Sequence, residues 1–522
     1  MTESKTKKIL MGLGVVFVLA LVSLVLQFST PNIADPDAFY HMAHAKVYAE
    51  RGVFYSEFPW AQFSIIKDLK SDIWYGFHLF LIPFTYIKNA GISIKLAGAF
   101  ITFLTLIGFY FALNRLKIKW PILWALVFVL ATPDVMYRLI MTRPHNLSFA
   151  LTIVTFSLFL TSSKKWPLIL LGFTAAFLHS ALSWLPLAVV IIASLVSKFR
   201  REPIRWRSLL YLALGLVAGL IARPNPLAGL KLVYIQVIQI IFVKTQNIPL
   251  TFGRELKTPN FDSIIKNILP VILIGLIGIV LYKIAIKKYR ASEIGNYKNI
   301  FVSALTVSAF FLLITLFVAR RSYDIFTGFT LITSSMALTL YLNKISNTKH
   351  KNTVVSVLII SIGILSLNSV PLFKKYNNDA WSPNDLKESS LWLKENAKPG
   401  EIVFNTSWDQ FGSLMYWNPQ NYYINGMDPI FQYAFSPTLY WKNHFILADA
   451  GYTNTCGLIR CKEEEIETTP SVLVNDFKAS YVVLKKSRNP KTYFYWLKDK
   501  TFPLVFENSV EAVFKISPSN QK

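Results

Sequence analysis

Charged residues and cysteine are both scarce in this chain. Only 16% of its 522 residues are charged and 53% are hydrophobic, with a mean hydropathy of +0.41. A protein with a fully wetted surface carries more charge than this, so we expect lipid to surround much of the chain. The two cysteines, Cys456 and Cys461, are too few for a disulfide framework or a thiolate metal cluster. They form one short disulfide or remain two free thiols.

Acidic residues are also few, which leaves a large excess of positive charge. There are 54 Lys and Arg against 29 Asp and Glu, a net charge of +25. Such an excess can indicate nucleic-acid binding, but here the basic residues are concentrated in short loops between apolar runs. We therefore interpret the charge as a sign of membrane topology and expect no nucleic-acid partner.

Long apolar runs, by contrast, are abundant. A run of about 20 residues spans the hydrocarbon core of a bilayer. The first run has no small-residue cleavage site after it, which favours a retained helix over a signal peptide. Eleven spans are predicted, at 9–28, 94–113, 120–135, 146–163, 166–180, 183–197, 207–222, 265–282, 300–319, 324–342 and 353–371.

Basic residues alternate between successive loops as the positive-inside rule requires. The loops rich in Lys and Arg are predicted to be cytoplasmic, together with the N-terminus. A crossing by the apolar segment 74–87 would reverse every later loop, so we expect that segment to be interfacial or re-entrant. The long loops at 29–92 and 223–264 then lie outside.

The composition changes near residue 373. Residues 1–373 are predicted to form a transmembrane domain, and residues 374–522 a water-soluble, extracytoplasmic domain of mixed α/β type. Its pattern predicts a helix at 386–396 and strands at 401–405 and 480–484. The expected fold class is a polytopic α-helical membrane protein of about eleven transmembrane helices with a C-terminal α/β domain.

Two carboxylates and a histidine, Asp35, Asp37 and His41, directly follow the first span. Carboxylates bind hard cations such as Mg²⁺ or Mn²⁺, which neutralise the phosphate of a leaving group. The alternative is a purely structural turn, in which Asp37 caps a helix that runs through Lys46.

Arginines in two later outer loops are candidate phosphate ligands, because guanidinium groups pair with phosphate oxygens. Arg138 and Arg143 precede His145, a candidate metal ligand, and Arg320 with Arg321 lies at the outer end of the span 300–319. The alternative is that these arginines only place their charges at the membrane interface.

The order of these features resembles the GT-C glycosyltransferases, specifically the catalytic subunit of oligosaccharyltransferase. In that family an Asp-x-aromatic-aromatic-His motif follows the first span and binds metal, and Asp37 to His41 match it. The resemblance implies that Asp37 is the first catalytic and metal-binding candidate and Asp35 the second. Arg138 is similar to the arginine before the family's second acidic motif. Metal ligation at that motif would fall to His145.

The resemblance extends to two later segments. Glu255 is similar to the glutamate of the family's Thr-x-x-Glu motif, one residue out of register. Trp408 and Asp409 resemble part of the Trp-Trp-Asp-Tyr-Gly signature that reads the acceptor, with Ser407 in place of the first tryptophan and Phe411 in place of the tyrosine. The resemblance implies acceptor binding by Glu255, Trp408 and Asp409, and phosphate binding by the outer arginines.

The implied function is transfer of sugar or oligosaccharide from a polyprenyl-phosphate or diphosphate donor to a protein or glycan, at the outer face of a prokaryotic plasma membrane, with Mg²⁺ or Mn²⁺ as cofactor. The implied partners are the donor, membrane lipids and the acceptor. One alternative is a monosaccharide transferase that uses a polyprenyl monophosphate. Others are a transporter or flippase of lipid-linked glycans, which would usually carry charges inside its spans, and a non-catalytic partner protein.

Overall fold

A computed structural model of the chain describes residues 2–289, 291–344 and 348–517. Its contacts divide the chain into two compact units. The first unit consists of Met1–Ala34, Lys95–Ala222 and Arg254–Trp381, and the second of Asp35–Ile94, Arg223–Gly253 and Ser382–Lys522. The last change of unit lies close to the predicted domain boundary at 373–374. The second unit also contains two segments from the membrane half of the sequence.

Eight helices in the described residues are long and apolar enough to cross a membrane. Each has the length of about 20 residues that the hydrocarbon core requires. Seven of them lie at predicted spans. The eighth is Pro226–Thr245. The eight helices are Ile9–Phe28, Ala90–Arg115, Ser180–Phe199, Pro226–Thr245, Phe261–Ile286, Tyr297–Phe317, Arg320–Asn343 and Asn352–Asn378.

Helices at the other four predicted positions are bent or short. Pro121–Leu130 and Pro133–Leu139 meet at a bend of 100° and make a ninth span if they are counted together. His145–Thr161, Pro167–Leu178 and Trp206–Ile221 are apolar helices of 17, 12 and 16 residues. Proline begins three of these five helices, because its fixed φ suits the first helical position. Helices at all eleven positions confirm the polytopic helical fold.

The segment predicted as a long outer loop at 223–264 contains a helix in its first half, which the sequence pattern did not predict. Pro226–Thr245 is helical and passes the test for length and hydropathy. Lys231, Gln236 and Lys244 interrupt its apolar residues, which is why the sequence pattern favoured a mixed loop. A helix tolerates such residues because it satisfies its own backbone groups, whatever its side chains contact.

The first unit is built around the helix Arg320–Asn343. Of its apolar window, 94% is buried inside the protein. Hydroxyl groups along this helix find partners on neighbouring helices: the Thr330 and Ser308 hydroxyls are 2.7 Å apart, and Ser334 Oγ donates to the Ile274 carbonyl at 2.9 Å. Thr330 and Ser334 of this enclosed span are therefore satisfied by protein rather than by water.

Glycines bring two of the shorter helices of the first unit into backbone contact. Gly215 and Gly219 of Trp206–Ile221 have the G-x-x-x-G spacing that permits close helix packing. A Cβ at Gly215 would lie 2.1 Å from the carbonyl oxygen of Ile169, and one at Gly219 would lie 2.3 Å from another carbonyl oxygen. The helix Pro167–Leu178 thus packs where only glycine leaves room.

A mixed five-stranded sheet forms the centre of the C-terminal part of the second unit. The strands of the chain are β1 (Ile402–Asn405), β2 (Tyr422–Tyr423), β3 (Asn454–Thr455), β4 (Glu467–Thr468), β5 (Ala479–Lys485), β6 (Leu504–Glu507) and β7 (Glu511–Lys515). The order in the large sheet is β2-β1-β5-β7-β6, in which β1 runs parallel to β2 and β5, and β7 runs antiparallel to β5 and β6. Strands β1 and β5 confirm the predicted strands and the α/β class.

Apolar residues of the sheet, including Phe404, Val482 and Phe514, form the core of this part. The helices of the second unit outside Pro226–Thr245 are Asp37–Arg51, Ile65–Leu69, Tyr75–Thr85, Lys387–Asn396, Phe411–Trp417, Pro429–Phe435, Pro437–Leu447, Thr469–Asn475 and Pro490–Trp496. Tyr75–Thr85 has 11 residues, which is too short to cross a bilayer, as predicted for segment 74–87. Cys456 and Cys461 are joined in a disulfide, with Cα atoms 6.4 Å apart.

Replacement of Gly215 by alanine is expected to destabilise the first unit, because the new methyl group overlaps the Ile169 carbonyl and the two helices must separate. Overpacking of this kind costs about 1–3 kcal/mol. Thermal melting of the purified protein measures the loss. Gly12→Ala is the matched control, since a Cβ at Gly12 meets nothing within 4 Å. Equal melting temperatures for the two variants would contradict the close helix contact.

Candidate functional site

The acidic motif after the first span opens the helix Asp37–Arg51. Asp37 is the first helical residue and Pro36 occupies the cap position, which contradicts the alternative interpretation of Asp37 as the helix cap. The Asp37 backbone N–H donates to Asp35 Oδ1 at 3.2 Å, and Asp35 is only 2% exposed. The positive end of the helix dipole stabilises a carboxylate in the first turn. Asp35 therefore supports the motif, and the partly exposed Asp37 is the carboxylate that a ligand can reach.

A glycine holds this acidic motif against the segment predicted to bind the acceptor. A Cβ at Gly412 would lie 2.8 Å from the carbonyl oxygen of Pro36. Gly412 belongs to the helix Phe411–Trp417, which directly follows the short 3₁₀ helix Trp408–Gln410. The second unit thus joins the acidic motif and the predicted acceptor segment through a backbone contact.

In the acceptor segment, Asp409 is buried and binds two neighbours. Asp409 Oδ1 accepts hydrogen bonds from Arg488 Nη1 and Ser407 Oγ, and the same arginine nitrogen donates to Ser407 Oγ at 2.7 Å. Burial alone would lower the pKa of Arg488, but Asp409 raises it above its ordinary value. Arg488 stays charged with 45% of its side chain exposed. The segment therefore holds a partly exposed cation at Ser407 and Asp409, and the ring of Trp408 is also partly exposed.

The helix that begins at Asp37 also carries two histidines that face the helix Tyr75–Thr85. His41 Nδ1 lies 2.8 Å from His78 Nε2, and His78 Nδ1 lies 2.6 Å from Asp72 Oδ2. The rings of His44 and His78 stack with centroids 4.4 Å apart. We call this group, made of His41, His44, Asp72 and His78, the histidine cluster.

Burial sets the charge of two groups in the histidine cluster. It lowers the pKa of His44 to about 3, so this imidazole is neutral at physiological pH. Burial alone would raise the pKa of Asp72, but His78 and His44 lower it below its ordinary value. Asp72 also accepts the Tyr48 hydroxyl at 3.0 Å and the Trp74 backbone N–H at 2.8 Å. Asp72 is therefore an ionised, well-bonded carboxylate in the protein interior.

Sequence reasoning did not select Asp72, His44 or His78 as site residues. The signal was the spacing of His41 and His44, which places both on neighbouring positions of one helix face. An aspartate six residues before a third histidine completed the pattern, but nothing in the sequence indicates that the two segments meet.

In the first unit, the four arginines predicted to bind phosphate lie among three acidic residues. Arg138 Nε donates to Asp324 Oδ2 at 2.6 Å, and Arg320 Nε donates to Asp134 Oδ2 at 2.9 Å. Arg138 Nη2 reaches the Arg321 carbonyl oxygen at 3.4 Å. We call this group the arginine cluster; it comprises Arg138, Arg143, Arg320, Arg321, Asp134, Glu255 and Asp324.

Glu255 belongs to the arginine cluster. Arg143 Nη1 donates to both carboxylate oxygens of Glu255 at 3.0 Å, and Arg138 Nη1 lies 3.9 Å from one of them. Burial alone would raise the pKa of Glu255, but these two arginines lower it, so the carboxylate is ionised. A role for Glu255 in acceptor binding stays a prediction, and its described contacts are with two candidate phosphate ligands.

A helix break positions the arginine cluster. Two short helices meet at a bend of 100°, and the second, Pro133–Leu139, carries Asp134 and Arg138 one turn apart. The Tyr323 hydroxyl donates to Thr132 Oγ1 at 2.7 Å and so links the helix Arg320–Asn343 to this break. Asp134 lies four residues before Arg138, and Asp324 lies four residues after Arg320. The ion pairs nevertheless form between these two segments, at Arg138 with Asp324 and at Arg320 with Asp134. Sequence reasoning therefore missed both aspartates.

His145, the second predicted metal ligand, begins the helix His145–Thr161. Its Nε2 is buried and makes no hydrogen bond to a described residue. In the described part of the chain, three ligand-type side chains come within 4.8 Å of one another at His44, Asp72 and His78, a group without His145 or Asp37. Metal binding by His145 and Asp37 stays a prediction.

Loss of the Arg138 charge is expected to destabilise the first unit. Arg138→Met leaves the Asp324 carboxylate, in a residue only 7% exposed, without its partner, which costs about 3–5 kcal/mol. The double variant Arg138→Met/Asp324→Leu removes both charges and should recover much of this loss. Thermal melting of the single and double variants measures it. A double variant that melts below Arg138→Met would contradict the pairing.

No model of a known protein family matches the chain, and no curated protein matches it by sequence. Solved structures do match. The oligosaccharyltransferase of Archaeoglobus fulgidus, in its apo form, aligns with a TM-score of 0.57 at 11% identity, over 97% of this chain and 74% of that protein. ArnT from Cupriavidus metallidurans, bound to undecaprenyl phosphate, aligns with a TM-score of 0.52 at 12% identity, over 98% of this chain and 99% of ArnT. Apo ArnT gives 0.53 at 11% identity, over 98% of each chain.

At these identities the likeness is one of fold. Both matched proteins are GT-C glycosyltransferases, and each alignment includes the membrane helices and the C-terminal α/β part of this chain. The chain has the fold of the GT-C glycosyltransferases.

Proposed function

We propose that this chain is a membrane glycosyltransferase that moves a sugar or an oligosaccharide from a polyprenyl-phosphate-linked donor to an acceptor. The observation that carries the proposal is the match of 97–98% of the chain to an oligosaccharyltransferase and to ArnT bound to undecaprenyl phosphate. Membrane lipids, the lipid-linked donor and the acceptor are the proposed partners.

The arginine cluster supplies the donor phosphate site in this proposal. Four arginines face three acids, so the cluster has an excess of one positive charge. A phosphate or diphosphate complements that excess through charge-assisted hydrogen bonds. When the bond between sugar and phosphate breaks, negative charge develops on the departing phosphate oxygen. Guanidinium groups that ion pairs already hold in place stabilise this charge without reorganisation.

Asp37 supplies the catalytic carboxylate in this proposal. It is partly exposed at a helix N-terminus, whereas Asp35 is buried and bonded to the backbone of the motif. Asp37 would hold a divalent cation such as Mg²⁺ or Mn²⁺, or would accept a proton from the acceptor nucleophile.

The proposed location is the plasma membrane, with the N-terminus in the cytoplasm and the second unit outside. The basic loops support this orientation. A crossing by Pro226–Thr245 would put the basic loop at 283–298 outside, so we propose that this helix does not cross. The disulfide between Cys456 and Cys461 also favours an oxidising, extracytoplasmic compartment.

Two reaction types remain within this proposal. Trp408 and Asp409 support an oligosaccharyltransferase-like reaction on protein. The coverage of 99% of ArnT, against 74% of the oligosaccharyltransferase, favours the second candidate, a monosaccharide transferase that uses a polyprenyl monophosphate. Incubation of protein-containing vesicles with labelled mono- and diphosphate donors, followed by mass mapping of every labelled product, separates the two. Movement of donor across the bilayer without any transfer would instead indicate a transporter.

Asp37→Asn is expected to reduce transfer from the lipid donor by about 100-fold or more, because the side chain keeps its shape but loses its charge and basicity. Labelled transfer in reconstituted vesicles measures the loss. Asp68→Asn, in the same unit, is the matched control and should leave the rate unchanged. Wild-type rates from folded Asp37→Asn would overturn the assignment of this carboxylate.

Arg321→Gln is expected to raise the KM for the donor by about tenfold, since a charge-assisted hydrogen bond contributes about 1.5–3 kcal/mol. The KM for the acceptor should not change. Initial rates over a range of donor concentrations provide the measurement. Arg115→Gln, whose Nε donates to Thr161 Oγ1 at 3.1 Å, is the control. An unchanged donor KM in Arg321→Gln would remove this residue from the phosphate site.

A further inference from the structure

Three ligand-type atoms of the histidine cluster converge in the second unit. A ring nitrogen each from His44 and His78 and an oxygen of Asp72 lie within 4.8 Å of one another. His78 Nδ1 is 2.6 Å from Asp72 Oδ2, and His44 Nε2 is 3.9 Å from the same oxygen. Ligand atoms on a tetrahedral zinc ion, with bonds of about 2.1 Å, are separated by about 3.4 Å. The two observed separations bracket that value, so side-chain shifts of less than about 1 Å suffice.

The remaining ring nitrogens of the two histidines are held by neighbours. The Tyr40 hydroxyl lies 3.0 Å from His44 Nδ1, and His41 Nδ1 lies 2.8 Å from His78 Nε2. Metal-binding histidines usually have such a partner on the second nitrogen, which fixes the ring orientation. His44 Nε2 and His78 Nδ1 are therefore held in a defined orientation toward the Asp72 carboxylate.

A small cavity adjoins the cluster. Its volume is about 10 Å³, and His44, Asp72, Tyr48, Phe58 and Ser71 are among its lining residues. A cavity of this size holds about one water molecule. It offers a further ligand position beside His44 and Asp72, as metal sites with an exchangeable ligand require.

We propose that His44, Asp72 and His78 bind a divalent transition-metal ion of the zinc class. Two imidazoles and one carboxylate are a ligand set for zinc and its neighbours rather than for magnesium. The ion would replace the proton shared between His78 and Asp72 and would tie the helix Asp37–Arg51 to the helix Tyr75–Thr85. This site is separate from Asp37, and it does not depend on the proposed transferase reaction.

Metal binding is tested on the full-length protein, carrying an affinity tag without histidine and treated with a chelator. Titration with Zn²⁺ should give one tightly bound ion per chain and raise the melting temperature by several degrees. Co²⁺ should give a visible absorption spectrum of a four- or five-coordinate site with nitrogen and oxygen ligands. No thiolate band is expected, because both cysteines are in the disulfide.

Variants assign the ion to these residues. His78→Gln and His44→Gln should lose the stoichiometric ion, and Tyr40→Phe, which keeps every ligand, should weaken Zn²⁺ binding about 10- to 100-fold. His444→Gln is the matched control in the same unit. Its Nδ1 lies 2.9 Å from Thr251 Oγ1, away from the cluster, so Zn²⁺ binding should not change.

A wild-type protein that binds no stoichiometric Zn²⁺ and shows no melting shift overturns the proposal. In that case the cluster is a hydrogen-bonded network only. Binding that is equal in wild type, His78→Gln and His44→Gln also overturns it. If the ligand variants do not fold, Tyr40→Phe and the Co²⁺ spectrum of the wild type decide the question.

Discussion

Pairing of buried charges between two segments is the constraint on which the first unit depends. Its central helix, Arg320–Asn343, is almost wholly surrounded by protein, and a helix break brings Asp134 and Arg138 to its start. Each arginine bonds an aspartate of the other segment, at Arg138 with Asp324 and Arg320 with Asp134. Because an unpaired buried charge is expensive, neither segment is stable in this position without the other. The ion pairs therefore fix the bend, the central helix and the geometry of the proposed phosphate site together.

Much of this fold follows from one-dimensional patterns. Apolar runs marked helices at all eleven predicted positions, and β1 and β5 appear where short strand-like stretches predicted strands. The four arginines that the sequence singles out do lie in one cluster, and their binding of phosphate stays a prediction. Their acidic partners were not selected, because an ion pair between residues 186 positions apart leaves no local signal. The boundary predicted at 373–374 describes the second unit only in part. Residues 35–94 and 223–253 also belong to that unit, through contacts that composition does not reveal.

The errors have identifiable physical causes. The helix Pro226–Thr245 was not predicted because its lysines and glutamines dilute its hydropathy, although a helix needs no particular side chain to satisfy its backbone. The histidine cluster requires two segments to meet, and the spacing of His41 and His44 predicts only one face of it. The alternative interpretation of Asp37 as a helix cap also failed, because Pro36 takes that position. The sequence thus predicts which residues share one face of a helix, but it does not predict which other segment packs against that face.

The contact of Gly412 with the Pro36 carbonyl has a consequence for biosynthesis. The acidic motif leaves the ribosome early, but the helix that covers it is made roughly 375 residues later, about 20 to 75 seconds at ordinary elongation rates. During that interval the helix that begins at Asp37 lacks the rings of Tyr416 and Phe411, which contact Phe39 and Tyr40 in the finished protein. A nascent chain that stalls before Gly412 would therefore expose these aromatic residues to chaperones and proteases. Completion of the chain, rather than insertion of the first helix, is the step that assembles the second unit.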